Sequence, residues 1–274
     1  RPSEPVRYAI VGTGMMGREH LANIAHLPES QVVSLVDPNS GSLERAVQVY
    51  GGESQTFSNL RDALSGPEFD VVVIASPNNT HADVIHEALE HGKHVLVEKP
   101  LATTVQDCRK IERLVETRPG QVVAVGLEYR FMAPTAWLLD TVRAGELGNV
   151  RMMTIIEHRF PFLDKVGAWN RFNDNTGGTF VEKCCHFFDL MYQVFRSEPI
   201  AVLASSAETV NHRDERYYGR EPDILDNGYV IVEFDGGRRG MLELCMFAEG
   251  SRDEQYISVV GDKAKAEVRI PSNE

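Results

Sequence analysis

The sequence predicts an α/β protein with two parts. The first is a doubly wound parallel sheet, and the second is an α+β domain with an open, mainly antiparallel sheet. Three observations carry the prediction. Up to about residue 130, short apolar runs alternate with helical periodicities. A Gly-x-Gly-x-x-Gly turn joins the first apolar run to the first helix. Beyond residue 130, alternating strand patterns take over, broken by a Gly-Gly pair. The 274 residues, 42% hydrophobic and 25% charged, are enough for two cores. The expected domains are 1–130 and 131–274.

The elements follow in order. "VRYAIVG" (6–12) reads as a strand, and Leu21, Ile24 and Leu27 set a helix after it. "QVVSLVD" (31–37) is the second strand. Leu43, Ala46, Val47 and Tyr50 share a helix face that Gly51 stops. "DVVVIASP" (70–77) is a third strand, "THADVIHEALEHG" a helix, and 94–99 the next strand. Thr104 and Asp107 predict a capping box for the helix after it. "QVVAVGLEYRF" (121–131) closes the series as a strand. Apolar runs joined by helices indicate strands covered on both faces. In the second part a helix is expected near 134–144, then a strand in "NVRMMTIIEHRF" and one helix over 179–195. Strand patterns fill the remainder, and "FDGGRR" predicts a hairpin.

Composition narrows the function. The net charge of −12 and the lack of a basic block argue against nucleic acid and anionic membrane as partners. No apolar run approaches a membrane span. The four cysteines lack a metal or disulfide spacing, which fits a reducing cytoplasm and no metal site. The chain starts at Arg1 rather than Met, so a native start upstream is expected.

Gly12, Gly14 and Gly17 carry the first chemical signal. They follow a strand and open a helix, the setting in which this spacing cradles a dinucleotide pyrophosphate. The N–H groups at the helix start, from Gly14 through Met15 and Met16, face the phosphates. Asp37 lies 37 − 17 = 20 residues past the third glycine, at the end of the second strand. A carboxylate there accepts from an adenosine ribose hydroxyl and repels a 2′-phosphate, which predicts NAD over NADP.

The tips of the strands carry the second signal, because ligands of such sheets sit beyond the carboxyl ends. "IASPNNTH" and "VLVEKP" end there. Side chains alternate along a strand, so Glu98 and Lys99 point to opposite sides. Lys99 is the better candidate for the reacting oxygen, with Pro100 stopping the strand. In the second part, Glu182, His186 and Asp189 stand at i, i+4 and i+7 of the expected helix, on one face. A carboxylate one turn from a histidine orients its ring for acid–base work.

Together, "AIVGTGMMG", "VVVIASPNNTHADVIHEALEHGKHVLVEKPLA", "GELGNV" and "GGTFVEKCCHFFDL" resemble the Gfo/Idh/MocA family, in the family's order and over most of residues 6–196. The resemblance implies a Rossmann domain and an oxidoreductase of sugars or cyclic polyols such as inositol. It places Lys99 at nicotinamide ribose and substrate, and His186 with Glu182 as the acid–base pair. Here Glu182 stands where the family usually has Asp, and Cys184 where Gly is common. The implied cofactor contacts are Ser76, Pro77, Asn78, His81, Glu98 and Lys99. Arg130 is an implied substrate or cofactor contact. "EHRFPFLDKVGAWNRF" (157–172) is expected to line the substrate pocket through Arg159, Trp169 and Asn170.

Two other readings stay open: a nucleotide-binding regulator without turnover, and a lyase or hydrolase assisted by NAD. The apolar strands of the second part predict a homodimer or homotetramer packed through that sheet. Family members run longer past the last strand, so a truncated C-terminus is also expected, with the sheet edge covered by further residues or a partner.

Overall fold

The computed structural model describes residues 4–252 and 254–270. The expected ranges 1–130 and 131–274 also take in residues 1–3, 253 and 271–274, which lie outside the described residues. The chain forms two compact units. One comprises residues 4–126 with Lys165–Trp169 and Asp174–Gly177, and the other the remaining described residues.

The first unit runs β1 (Val6–Val11), α1 (Met15–Ala25), β2 (Ser30–Val36), α2 (Ser40–Tyr50), β3 (Gln55–Phe57), α3 (Leu60–Leu64), β4 (Val71–Ile74), α4 (His81–Glu90), β5 (His94–Glu98), α5 (Val105–Glu116) and β6 (Val123–Gly126). All strands are parallel, in the order β3-β2-β1-β4-β5-β6. The winding reverses between β1 and β4, which makes their carboxyl ends the switch point where such sheets take ligands. Alternation explains the continuous apolar runs. Ala9, Val11, Val72 and Ile74 pack on one side of the sheet, Ile10 and Val73 on the other. Asn39 caps α2 by accepting from Ser42 N–H at 2.9 Å, and Gly51, at φ 63°, ends it. Only half of the expected capping box forms at α5. Thr104 accepts from Asp107 N–H, but Asp107 takes the Thr104 hydroxyl rather than the backbone.

The second unit contains α6 (Ala133–Arg143), β7 (Val150–His158), part of α7 (Asn173–Thr176), α8 (Thr179–Glu182), α9 (Cys185–Phe195), β8 (Pro199–Ala207), β9 (Asn227–Phe234), β10 (Arg238–Cys245), β11 (Gln255–Gly261) and β12 (Lys265–Ile270). Its sheet has the order β12-β11-β7-β10-β9-β8. Only the β7–β10 pair is parallel. Phe187, Leu190, Met191 and Val194 line one stripe of α9 and pack on Ile155, Val230, Val232, Leu242 and Leu244. The expected hairpin forms, with Phe234 opposite Arg238 and two glycines at positive φ between them.

Four expectations need correction. The strand expected over 70–77 stops at Ile74, ahead of the short turn Asn78–Thr80. The strand expected over 121–131 stops at Gly126, and Glu128–Phe131 turn as a 3-10 helix. The helix expected over 179–195 is interrupted at Lys183 and Cys184. The last strand pattern is two strands joined at 262–264. In addition, β3 and α3, with few apolar residues between them, were not foreseen.

Candidate active site

In the first unit the three glycines have three different physical reasons. Gly12 sits at φ +87°, and a Cβ there would lie 2.5 Å from Ser76 N. A Cβ on Gly17 would lie 1.9 Å from the Gly12 carbonyl oxygen, so α1 packs on the turn only because that residue is glycine. Gly14 is open, with nothing within 4 Å of its Cβ position, and it starts α1 without a side-chain cap. Unprotected N–H groups on an open helix end fit a pyrophosphate. Met15 and Met16 flank this opening, 51% and 36% exposed. Asp37 is tied to the same turn. Its Oδ2 accepts from Thr13 N–H at 2.8 Å and Oγ1 at 3.2 Å, and its Oδ1 from Asn39 N–H at 2.8 Å. The donor and acceptor set therefore suits a dinucleotide with a free ribose hydroxyl.

The tips of β4 and β5 are braced. The Ser76 hydroxyl bonds Thr80 at 2.7 Å, and the Thr80 hydroxyl donates to the Pro77 carbonyl at 2.7 Å. Asn78 is buried, with its amide 3.4 Å from the Thr176 carbonyl. His81 was expected against the cofactor. Its ring nitrogens lie on the carbonyls of Pro100 at 2.8 Å and Ser76 at 3.0 Å, which makes it a strut between the two strand tips. Glu98 is also a strut. One oxygen meets His20 Nε2 at 2.7 Å and the other accepts from Lys99 N–H at 3.2 Å. Burial pushes this carboxyl up, but His20 and Lys99 more than offset it and hold it below its ordinary value. Lys99 follows, half-buried, with a cis bond to Pro100. Trp169 lies in a kinked segment with Lys165 Nζ 4.5 Å from the center of its ring.

In the second unit His186 is 2% exposed, on the first turn of α9. Its Nε2 lies 3.4 Å from Glu128 Oε1, and its ring lies against Tyr129, 4.5 Å between centers. Glu182 is buried at the end of α8, so it and His186 do not share a continuous helix. Helical spacing in the sequence pairs His186 with Glu182, with Asp189 on the same face. Glu128 is 186 − 128 = 58 residues away, and no local pattern announces it. Arg130 grips Asp189 through Nε at 2.6 Å and through Nη2, which raises the arginine further. Arg159 lies over the Phe160 ring, its Nη1 3.8 Å from Glu157. Asn170 is buried and donates to the Leu163 carbonyl at 2.9 Å. Its neighbor Arg171, which the sequence did not flag, is also buried and bridges Asp164 at 2.7 Å and Glu215 at 2.9 Å. Among the described residues, no helix is long and apolar enough to cross a membrane and no cluster of side chains suits a metal.

Comparison with known proteins gives the lineage. Residues 6–127 match the model of the Gfo/Idh/MocA oxidoreductase family, NAD-binding Rossmann fold, and residues 140–274 match the family's C-terminal α/β domain. Inositol 2-dehydrogenase 3 of Saccharopolyspora erythraea is 33% identical over 97% of this chain and 73% of its own length. The rhizopine catabolism protein MocA of Rhizobium meliloti is 27% identical over 96% of this chain and 78% of its own. The crystal structure of the WlbA dehydrogenase of Bordetella pertussis, in complex with NADH and UDP-GlcNAcA, shares the fold. Its TM-score is 0.84 at 23% identity, over 97% of this chain and 74% of that one. The chain thus belongs to the Gfo/Idh/MocA oxidoreductase family and is an NAD-dependent dehydrogenase that acts on CH–OH groups.

Proposed function

We propose that this dehydrogenase oxidizes a secondary hydroxyl of a cyclic polyol or sugar, inositol-like in shape, and prefers NAD to NADP. The observation that carries the cofactor preference is the Asp37 carboxylate locked beside the open Gly14 turn. The substrate class is supported by relatives named inositol 2-dehydrogenase, one of them at 33% identity. Held by the Gly12–Gly17 turn and Asp37, NAD would supply the hydride acceptor for the carbinol carbon. Lys99 holds and polarizes the hydroxyl oxygen. His186 accepts the proton on its imidazole, and the Glu128 carboxylate 3.4 Å away steadies the positive ring. Glu182 supports the ring from the end of α8. Arg130, Arg159, Trp169 and Asn170 are the proposed substrate contacts, with the first already oriented by Asp189.

The four free cysteines suit a reducing cytoplasm as the working compartment. The second-unit sheet supports a homodimer or homotetramer. Leu203 and Ile231 sit opposite each other on β8 and β9, 58% and 39% exposed, and Tyr229 on the same face is 57% exposed. The test of the activity is NADH formation from a panel of inositols and sugars. Oxidation confined to open-chain alcohols would refute the proposed substrate class.

A further inference from the structure

The interruption between α8 and α9 has a chemical consequence within the second unit. Lys183 occupies it and is 7% exposed. A lysine is rarely buried without a partner. Here Nζ lies 2.9 Å from Oε1 of Glu157 on β7, which is fully buried. The pairing is by charge and proximity, since neither Glu157 oxygen has a hydrogen-bond partner among the described residues. Burial pushes the ammonium down, but Glu157 and Tyr129 more than offset it, so the lysine stays charged.

The second partner of the ammonium points toward the chemistry. Lys183 Nζ donates to the Tyr129 hydroxyl oxygen at 2.9 Å, and Gln255 Nε2 donates to the same oxygen at 2.7 Å. Two donors fill the acceptor capacity of that oxygen and fix the phenol. The edge of the ring is set by Phe187, 5.5 Å between centers at 65°. The Tyr129 ring, 5% exposed, lies 4.5 Å from the His186 ring at 48°. A buried ion pair is a weak source of net stability, so its presence here calls for a positional explanation.

We propose that Lys183 is a positioning residue for the reaction: anchored by Glu157, it holds Tyr129, and Tyr129 holds the imidazole of His186. The inference rests on the reading of His186 as the proton acceptor. It explains why the helix is interrupted where it is. An unbroken helix from Thr179 would not need a charged side chain turned into the core at this point. The interruption instead puts the lysine beside Tyr129, one turn before the histidine.

Removing the ammonium alone would leave the fully buried Glu157 carboxylate with only Arg159 Nη1, 3.8 Å away, and such a variant risks misfolding. Two variants avoid this. Lys183→Met combined with Glu157→Gln neutralizes both partners. Tyr129→Phe leaves the ion pair in place and removes only the oxygen that Lys183 holds. In both, kcat should fall about 10–100-fold, the loss a misplaced catalytic group brings, while NAD affinity stays unchanged. The ring 15N resonances of His186 should shift in both. The triple variant should be little worse than either, because all act through one contact. Folded variants with unchanged His186 resonances would overturn the proposal, whatever their activity. So would shifted resonances with native kcat, provided His186→Ala abolishes turnover. If His186→Ala is itself harmless, the proton-acceptor reading fails, while shifted resonances still establish the Lys183–Tyr129–His186 linkage.

Discussion

The Asp37 carboxylate accepts the backbone N–H of Thr13 at 2.8 Å. The acid proposed to read the ribose is thus hydrogen-bonded to the turn proposed to take the phosphates. Asp37→Ala removes a ribose acceptor, a charge that repels a 2′-phosphate, and a brace of the turn. NAD affinity should fall by about tenfold or more, consistent with about 1.5–3 kcal/mol for a hydrogen bond to a charged group. The gap between NAD and NADP should narrow. Titration of both nucleotides into wild type and variant checks this, and a wild type that binds NADP more tightly than NAD would refute it.

Gly14 and Gly17 should respond oppositely to alanine. A Cβ at Gly17 would lie 1.9 Å from backbone oxygen, so Gly17→Ala should lower Tm sharply or prevent folding. Gly14 lies at φ −64° with open space around it, so Gly14→Ala should fold normally. Its methyl group would occupy the phosphate approach, and NAD binding should weaken by about tenfold or more. Thermal melts with and without NAD separate the two. Normal NAD binding by Gly14→Ala would contradict the cradle.

The Glu98–His20 pair predicts an acid limb to stability. Glu98 is held below its ordinary value, so its contribution is fully present above the usual carboxylate pKa. It is lost as pH falls through the lower, folded value. Glu98→Gln should therefore flatten the stability curve in that acid window. Urea melts across pH 2.5 to 6, a range set by a carboxylate's usual pKa of about 4.3, test this. An identical acid limb in the variant would show that the pair contributes nothing.

The second-unit sheet should mediate assembly. Leu203→Asp with Ile231→Asp puts two charges on its open face, and light scattering should then report a monomer where the wild type is a dimer or tetramer. A monomeric wild type would refute this.

Much of this was legible in the sequence where the cause is local. β1, β2, β4 and β5 are buried on both faces, so their apolar runs stand out. Gly12, Gly17 and Asp37 are set by one turn and the next strand. The contacts that escaped are tertiary. Glu98 meets His20 across 78 residues and His186 meets Glu128 across 58. The 179–195 pattern looked like one helix because its apolar stripe continues through the interruption. At the interruption Lys183 turns onto Glu157 of β7, a partner that periodicity cannot reveal.

The central claim is that Lys99 and His186 perform polyol oxidation with NAD. The most direct measurement is the rate of NADH formation from the polyol panel for wild type, Lys99→Met and His186→Ala, each with folding and NAD binding confirmed. Wild type should accumulate NADH steadily with at least one cyclic polyol or sugar. Lys99→Met should lose about 10²–10³ in turnover, the usual effect of removing one electrostatic stabilizer, while still binding NAD. His186→Ala should lose as much, and the double variant should be little worse than either single one. NAD binding with no NADH from any polyol would favor a regulator, product without net NADH would favor a lyase or hydrolase, and near-native turnover in Lys99→Met would contradict the account.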